Sequence, residues 1–182
     1  MARTATQSDT DKSFSVSRAN IKAYKSRLLA SAKKTQKVLA KLALSQSPAS
    51  FLDKLKFAPI GCDPLNADRE LNLIEQLTQA ATYLASFDAA EFLFSRHPEA
   101  RSLRLNLGTS RGFDIETNED GGIDAEVFAA VDPKNNQKLA KDCKDLKAKS
   151  QAKHRYVIFR SPKIKAGPYH PPYASKTDGI CV

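Results

Sequence analysis

Two acidic side chains stand out by their settings. Asp114 follows Gly112-Phe113 at the start of an alternating segment. Glu126 falls after eleven intervening residues, inside Ala125-Glu126-Val127-Phe128, where Val127–Val131 are apolar throughout. A carboxylate within so apolar a strand is costly to bury unless it is paired, hydrogen-bonded or bound to a cation. Neighbouring strands lie about 4.8 Å apart, so two carboxylates on one sheet face can converge on a single divalent cation. The plainer alternatives are a solvated strand-end acid for Asp114 and, for Glu126, a carboxylate paired with a lysine or arginine. Other chemistries lack their residues. Cys62, Cys143 and Cys181 are too widely spaced for a disulfide framework or a zinc pattern, and His97, His154 and His170 are as scattered. The chain has no Gly-Lys-Ser/Thr phosphate loop, no Gly-x-Ser-x-Gly elbow and no dinucleotide fingerprint.

The charge distribution frames these two acids. The chain has 182 residues and a formal net charge of +9, which favours a polyanionic partner. Residues 18–41 hold eight basic side chains and no acid, and residues 134–165 hold eleven against two. Between them the sign reverses, with seven acids and no base from Asp114 to Asp132. The bland explanation is a solvated acidic hairpin shielded by basic helices; the sharper one is an acidic cation site flanked by phosphate-holding surfaces. Lys22, Lys25, Lys33, Lys34, Lys37, Lys134 and Lys141 are the candidate phosphate contacts. No apolar run is long enough for a membrane span, and the polar N-terminus with sparse cysteines suits a cytoplasmic setting.

The elements that position these residues follow from hydrophobic period. Residues 1–14 are Ser/Thr/Asp-rich and expected to be disordered. A lysine-rich helix is predicted over about 17–44, with Ile21, Tyr24, Leu28, Leu29, Ala32, Val38, Leu39 and Leu42 near 3.6 spacing. A short helical turn follows over 51–57. A second long helix is predicted over 67–96, capped by Asp63 or Asn66 and stopped at His97-Pro98. The period then changes to two: Leu103–Leu107, Phe113–Glu116 and Ile123–Val131 read as strands joined by tight turns, and hence as an antiparallel meander. Asp132-Pro133 is expected to open a helix to about Lys153, with proline at the first helical position. The strand Arg155–Arg160 should then lie parallel to the third strand. The chain is accordingly divided into a tail (1–14), a basic helical arm (15–66), a core (67–160) and a proline-rich tail (161–182). Tyr169, His170 and Tyr173 in that last tail are expected to cover the core rather than to stack on bases.

The order helix, three strands, helix, strand, with Gly112-Phe113-Asp114 on the second strand and Ala125-Glu126-Val127-Phe128 on the third, resembles the PD-(D/E)xK nuclease superfamily. The resemblance spans residues 67–160, about half the chain. It implies an αβββαβ restriction-endonuclease-like core with a mixed sheet and a Mg²⁺- or Mn²⁺-dependent phosphodiesterase in which Asp114 and Glu126 hold the metal. Two positions depart from the pattern: Phe113 stands in place of proline, and Phe128 in place of the lysine two residues after the glutamate. In some members that lysine comes from the following helix, which makes Lys138 the first candidate here and Lys134 the second. With Leu139, Cys143 and Leu146 facing inward, Lys138 lies at their margin, about 100° from Leu139. A third acid often comes from the first helix, for which Glu75 and Glu91 are the candidates. The expectation is therefore an endonuclease hydrolysing DNA, with Asp114, Glu126 and Lys138 as its catalytic residues, acting as a homodimer if the substrate is duplex. The alternative is a catalytically silent nucleic-acid-binding or accessory module on the same fold.

Overall fold

The computed structural model describes residues 11–108, 111–117, 122–133, 137–169 and 180–181. In chain order the elements are β1 (Asp11–Val16), α1 (Ile21–Ser45), α2 (Pro48–Phe57), β2 (Gly61–Cys62), β3 (Glu70–Leu71), α3 (Leu73–Arg96), β4 (Leu103–Gly108), β5 (Ile115–Glu116), β6 (Ile123–Ala129), α4 (Lys138–Lys149), β7 (His154–Arg160) and β8 (Ile180–Cys181). This mixed α/β chain divides into two compact units. One is Ala19–Phe87; the other joins the residues up to Arg18 with those from Asp88 onward. The boundary falls inside α3 rather than at residue 67.

In the first unit α1 buries Ile21, Leu28, Ser31 and Thr35, a narrow stripe at helical spacing. Leu29 and Val38, expected on the packed face, are exposed. The line turns polar because it meets backbone: Ser31 Oγ donates to the Cys62 carbonyl at 3.1 Å and accepts from Gln76 Nε2 at 3.3 Å. Gly61 makes that approach possible, since a Cβ there would stand 2.5 Å from Thr35 Oγ1. The second long helix starts later than its composition suggests. Residues 70–71 pair with 61–62 as a two-stranded ribbon, and α3 then opens with a capping box. Asn72 Oδ1 accepts from Glu75 N–H and Glu75 Oε2 accepts from Asn72 N–H, each at 3.0 Å. Asp63, one of the two expected caps, is instead a buried loop anchor that accepts from Leu65 N–H at 2.9 Å and from the Tyr83 hydroxyl at 3.4 Å.

The second unit is built on a six-stranded sheet in the order β1-β4-β5-β6-β7-β8. Strands β4, β5 and β6 form the expected antiparallel meander, and α4 carries the chain across to β7, which pairs parallel with β6. Two additions were not legible. Residues 11–14, expected within a disordered tail, belong to β1, which pairs antiparallel along the whole of β4. Ile180–Cys181, expected in a tail, adds a short parallel strand beyond β7.

Each face of this sheet has identifiable cover. Phe128, Leu139, Leu146 and Val157 form a cluster under α4, with Phe113, Cys143, Phe159 and Tyr169 against it. Across the other face Phe92, from the last turns of α3, meets Tyr156 edge-on. Arg18 closes the C-terminal end of α3 by donating to the carbonyls of Phe94, His97 and Ala100 at 2.8–3.0 Å. The lysine-rich helix does not open on Pro133. It begins at Lys138 after Gln137, whose φ of 54° is left-handed.

Candidate active site

The register of the meander sets the central relationship. Ile115 pairs with Ala125 and Glu116 with Asp124. One step further along the same ladder, Asp114 comes opposite Glu126, and the pleat puts both on one face. Asp114 lies just before β5, and its carbonyl accepts from Asn106 N–H at 2.9 Å, which carries the β4–β5 register one residue further. Its Oδ2 accepts from the Val127 N–H at 2.7 Å, which draws the side chain across to β6. Burial, followed by the Asp114 charge and side-chain hydrogen bonding with Asp114, pushes the Glu126 carboxyl up to about 8.

The remaining charges acting on Glu126 come from α4. Asp142 raises it and Lys138 lowers it. Lys138 Nζ donates to both oxygens of Asp142, at 2.9 and 2.8 Å, and sits 5.5 Å from the centre of the Phe128 ring. Phe128 lies on β6 two residues after Glu126, so the ammonium supplied by the helix sits over an aromatic position of the strand. Asp142 was not singled out in the sequence, though a signal was present. It lies three residues after Leu139 and four before Leu146, which are both buried, so it is an acid on an apolar stripe. Burial raises its carboxyl above the ordinary aspartate value, against the opposing pull of Lys138.

The turn presenting Asp114 is held by a second polar group. Glu116 accepts from the Phe113 N–H at 2.9 Å and from Asn106 Nδ2 at 3.0 Å. Asn106, fully buried, also donates to the Phe113 carbonyl at 2.7 Å and accepts from Ser13 Oγ at 2.7 Å. Gly112 has φ +100°, and a Cβ on it would come within 2.5 Å of Glu116 Oε1. The acidic segment is thus divided among roles. Glu116 braces the turn, Asp124 accepts from Ser150 Oγ at 2.6 Å, and Asp132 faces Lys163 at 3.8 Å.

The remaining sequence candidates each have their own setting. Glu75 is the reciprocal partner in the cap of α3, and Glu91, further along that helix, is not among the charges acting on Glu126. Lys22, Lys33, Lys34 and Lys37 are exposed on α1 and Lys25 is half-buried there. Lys141, 75 % exposed on α4, faces Asp145 at 3.8 Å. Lys134, His170 and Tyr173 lie outside the described residues. His97 ends α3 as expected, buried between Tyr156, whose hydroxyl lies 2.7 Å from Nε2, and Glu99, 3.1 Å from Nδ1. Cys62 and Cys143 are free thiols. Among the described residues no helix is long and apolar enough to cross a membrane.

No protein-family model, curated protein or solved structure matches the chain. Its chemistry therefore rests on its own residues. Among the described residues no three His, Cys, Asp or Glu side chains are grouped so as to hold a metal ion. Two carboxylates nevertheless suit Mg²⁺, which keeps several waters and is commonly held by one or two protein carboxylates plus phosphate oxygens. Asp114 and Glu126, opposite one another on adjacent strands, provide such a pair.

Proposed function

We propose that the chain is a divalent-cation-dependent endonuclease that hydrolyses phosphodiester bonds of DNA, on a core of the restriction-endonuclease-like kind. The observation carrying this reading is the convergence of Asp114 and Glu126 from adjacent strands, with the Lys138 ammonium held over Phe128 beside them. The helix, meander, helix and parallel strand that surround the pair support the same assignment. Asp114 and Glu126 would hold Mg²⁺ or Mn²⁺, and Lys138 would place a positive charge where negative charge develops on the phosphoryl group. The bound ion, when present, supplies Lewis-acid stabilisation of the phosphate oxygens. The basic face of α1 and Lys141 on α4 would contact backbone phosphates, and cutting both strands of a duplex would take two copies of the chain.

The test is incubation of the purified protein with supercoiled plasmid in Mg²⁺, in Mn²⁺ and in chelator. Nicking or linearisation that needs the ion, and that disappears in Asp114→Ala and Glu126→Ala, is expected. Cleavage that survives both substitutions removes the assignment of the site. Binding without cleavage under either metal favours a silent nucleic-acid-binding module instead.

A further inference from the structure

We infer that Asp142 is the positioning residue for Lys138, fixing the ammonium beside the Asp114–Glu126 pair. The inference rests on the proposed nuclease reading for its consequence in catalysis, but its geometry stands separately. Lys138 and Asp142 lie four apart on α4, an ordinary spacing for an ion pair on a helix surface. Two neighbouring pairs of the same spacing, Lys141 with Asp145 and Lys149 with Asp145, show the ordinary kind, with both partners in solvent contact. The Lys138–Asp142 pair differs. The Asp142 side chain is 3 % exposed while its partner's is 44 % exposed, so the acid is withdrawn into the core and the lysine bends inward to meet it.

A surface pair of this spacing contributes a few tenths of a kcal/mol, which gives no reason to bury its acid. Burying it does give Lys138 a fixed address. Both carboxylate oxygens accept from the same ammonium, and the Phe128 ring faces that ammonium from the strand side. A four-carbon lysine stem on an exposed helix surface otherwise samples many rotamers, and holding one of them costs conformational entropy. The position being held lies within the field of Glu126, which Lys138 lowers, while Asp142 itself feels Asp114. Asp142 therefore has the location of a residue acting through Lys138 on the carboxylate pair.

Single-turnover cleavage by Asp142→Asn, Lys138→Met and the double variant tests this, with thermal unfolding as the check on folding. Asp142→Asn is expected to lower kcat by about 10–100-fold with KM for DNA little changed, the usual scale for losing a partner that orients a site group. The double variant should be no slower than Lys138→Met alone, because both substitutions remove one unit. Asp142→Glu, which keeps the charge one methylene farther out, should recover part of the loss. An unchanged kcat in Asp142→Asn, or losses that multiply in the double variant, would overturn the inference.

Should the wild-type protein cut nothing, the nuclease reading fails and the positioning claim is read from lysine chemistry instead. Competitive acylation followed by peptide mapping should show Lys138 protected relative to Lys141. Asp142→Asn should raise labelling of Lys138 to the level of Lys141, and Asp145→Asn should leave Lys138 unaffected. Equal labelling of the two lysines in the wild-type protein would sink the positioning claim on its own terms. If Asp142→Asn does not fold, the wild-type comparison of Lys138 with Lys141 decides the claim.

Discussion

The Lys138 ammonium stands 5.5 Å from the centre of the Phe128 ring. The strand contributes an aromatic face here and the helix contributes the charge. Position 128 is apolar for a structural reason. Phe128 is 6 % exposed and packs with Leu139, Leu146 and Val157, so the strand position is part of the core beneath α4.

Phe128→Lys is therefore expected to damage the protein rather than to improve it. Removing the ring from this cluster and burying an ammonium should cost at least about 3 kcal/mol of stability, measured by denaturant unfolding. Lys138→Met strips the buried Asp142 carboxyl of its ammonium, so it should lower the unfolding midpoint as well as reduce cleavage by about 100-fold. A stable and more active Phe128→Lys protein would mean that the lysine has not been relocated to α4.

Divalent-cation binding can be measured without any substrate. An ion that binds the folded chain alone stabilises it, by about 2.7 kcal/mol at about a hundredfold excess over Kd. Mn²⁺ or Mg²⁺ is expected to raise Tm of the wild-type protein in a concentration-dependent way, and Asp114→Asn with Glu126→Gln should abolish the rise. If the doubly substituted protein responds to the ion as the wild type does, the cation is bound elsewhere.

The Glu126 carboxyl also predicts how the metal-free protein responds to pH. Burial first, and then Asp114, lift it from an ordinary 4.5 to about 8, so between these values the folded chain holds a proton that the unfolded chain has released. Stability contributed in this way is complete below the ordinary value and is lost as pH rises toward 8. Asp142, raised first by burial, works in the same sense from the ordinary aspartate value upward. In chelator, Tm should fall from about pH 5 to about pH 8.5, and Glu126→Gln should flatten that fall. A Glu126→Gln protein with the wild-type slope would place the titrating group somewhere else.

The meander and the parallel fourth strand were legible because the hydrophobic period changes from 3.6 to 2 after His97, and because a helical crossover of this length makes a parallel pair. The carboxylate pair was legible because an acid in an apolar strand is conspicuous. What escaped has two physical sources. Strands β1 and β8 are edge elements, short or polar, whose pairing is decided by the strand they join rather than by their own pattern; Asp11-Lys12-Ser13 gives no alternation to find. The capping box at Asn72–Glu75 went unseen because Asp63 and Asn66 offered equally good caps earlier, and only the ribbon formed by residues 61–62 and 70–71 delays the helix. Asp142 is masked differently, by the lysines around it on α4, which obscure its place on the apolar stripe.

The turn before Asp114 makes a further prediction. Gly112→Ala would put a side chain at φ +100° and a Cβ within 2.5 Å of Glu116 Oε1 and 3.0 Å of Asn106 Nδ2. The strain is expected to cost about 1–3 kcal/mol. Displacing Glu116 also frees the Phe113 N–H that it holds, so Asp114 should lose its aim toward β6. Cleavage is therefore expected to drop in conditions where circular dichroism still reports a fully folded protein. A loss of activity that merely tracks the unfolded fraction would show that the turn stabilises the sheet without orienting the acid.

The basic helix yields the last prediction, which concerns binding rather than chemistry. Lys33, Lys34 and Lys37 are exposed on α1, in a stretch from Arg18 to Lys41 that has eight bases and no acid. Phosphate contacts release condensed counterions, so affinity for duplex DNA should fall steeply with salt, with a slope of about −0.9 per phosphate neutralised. Replacing these three lysines with glutamine should weaken binding at low salt and make the slope shallower by up to about 3. The loss should be the same for unrelated DNA sequences, because phosphates carry no sequence information. Fluorescence anisotropy across a salt series measures both quantities. If the triple variant keeps the wild-type slope, α1 does not touch the backbone, and its lysines form only a solvated face.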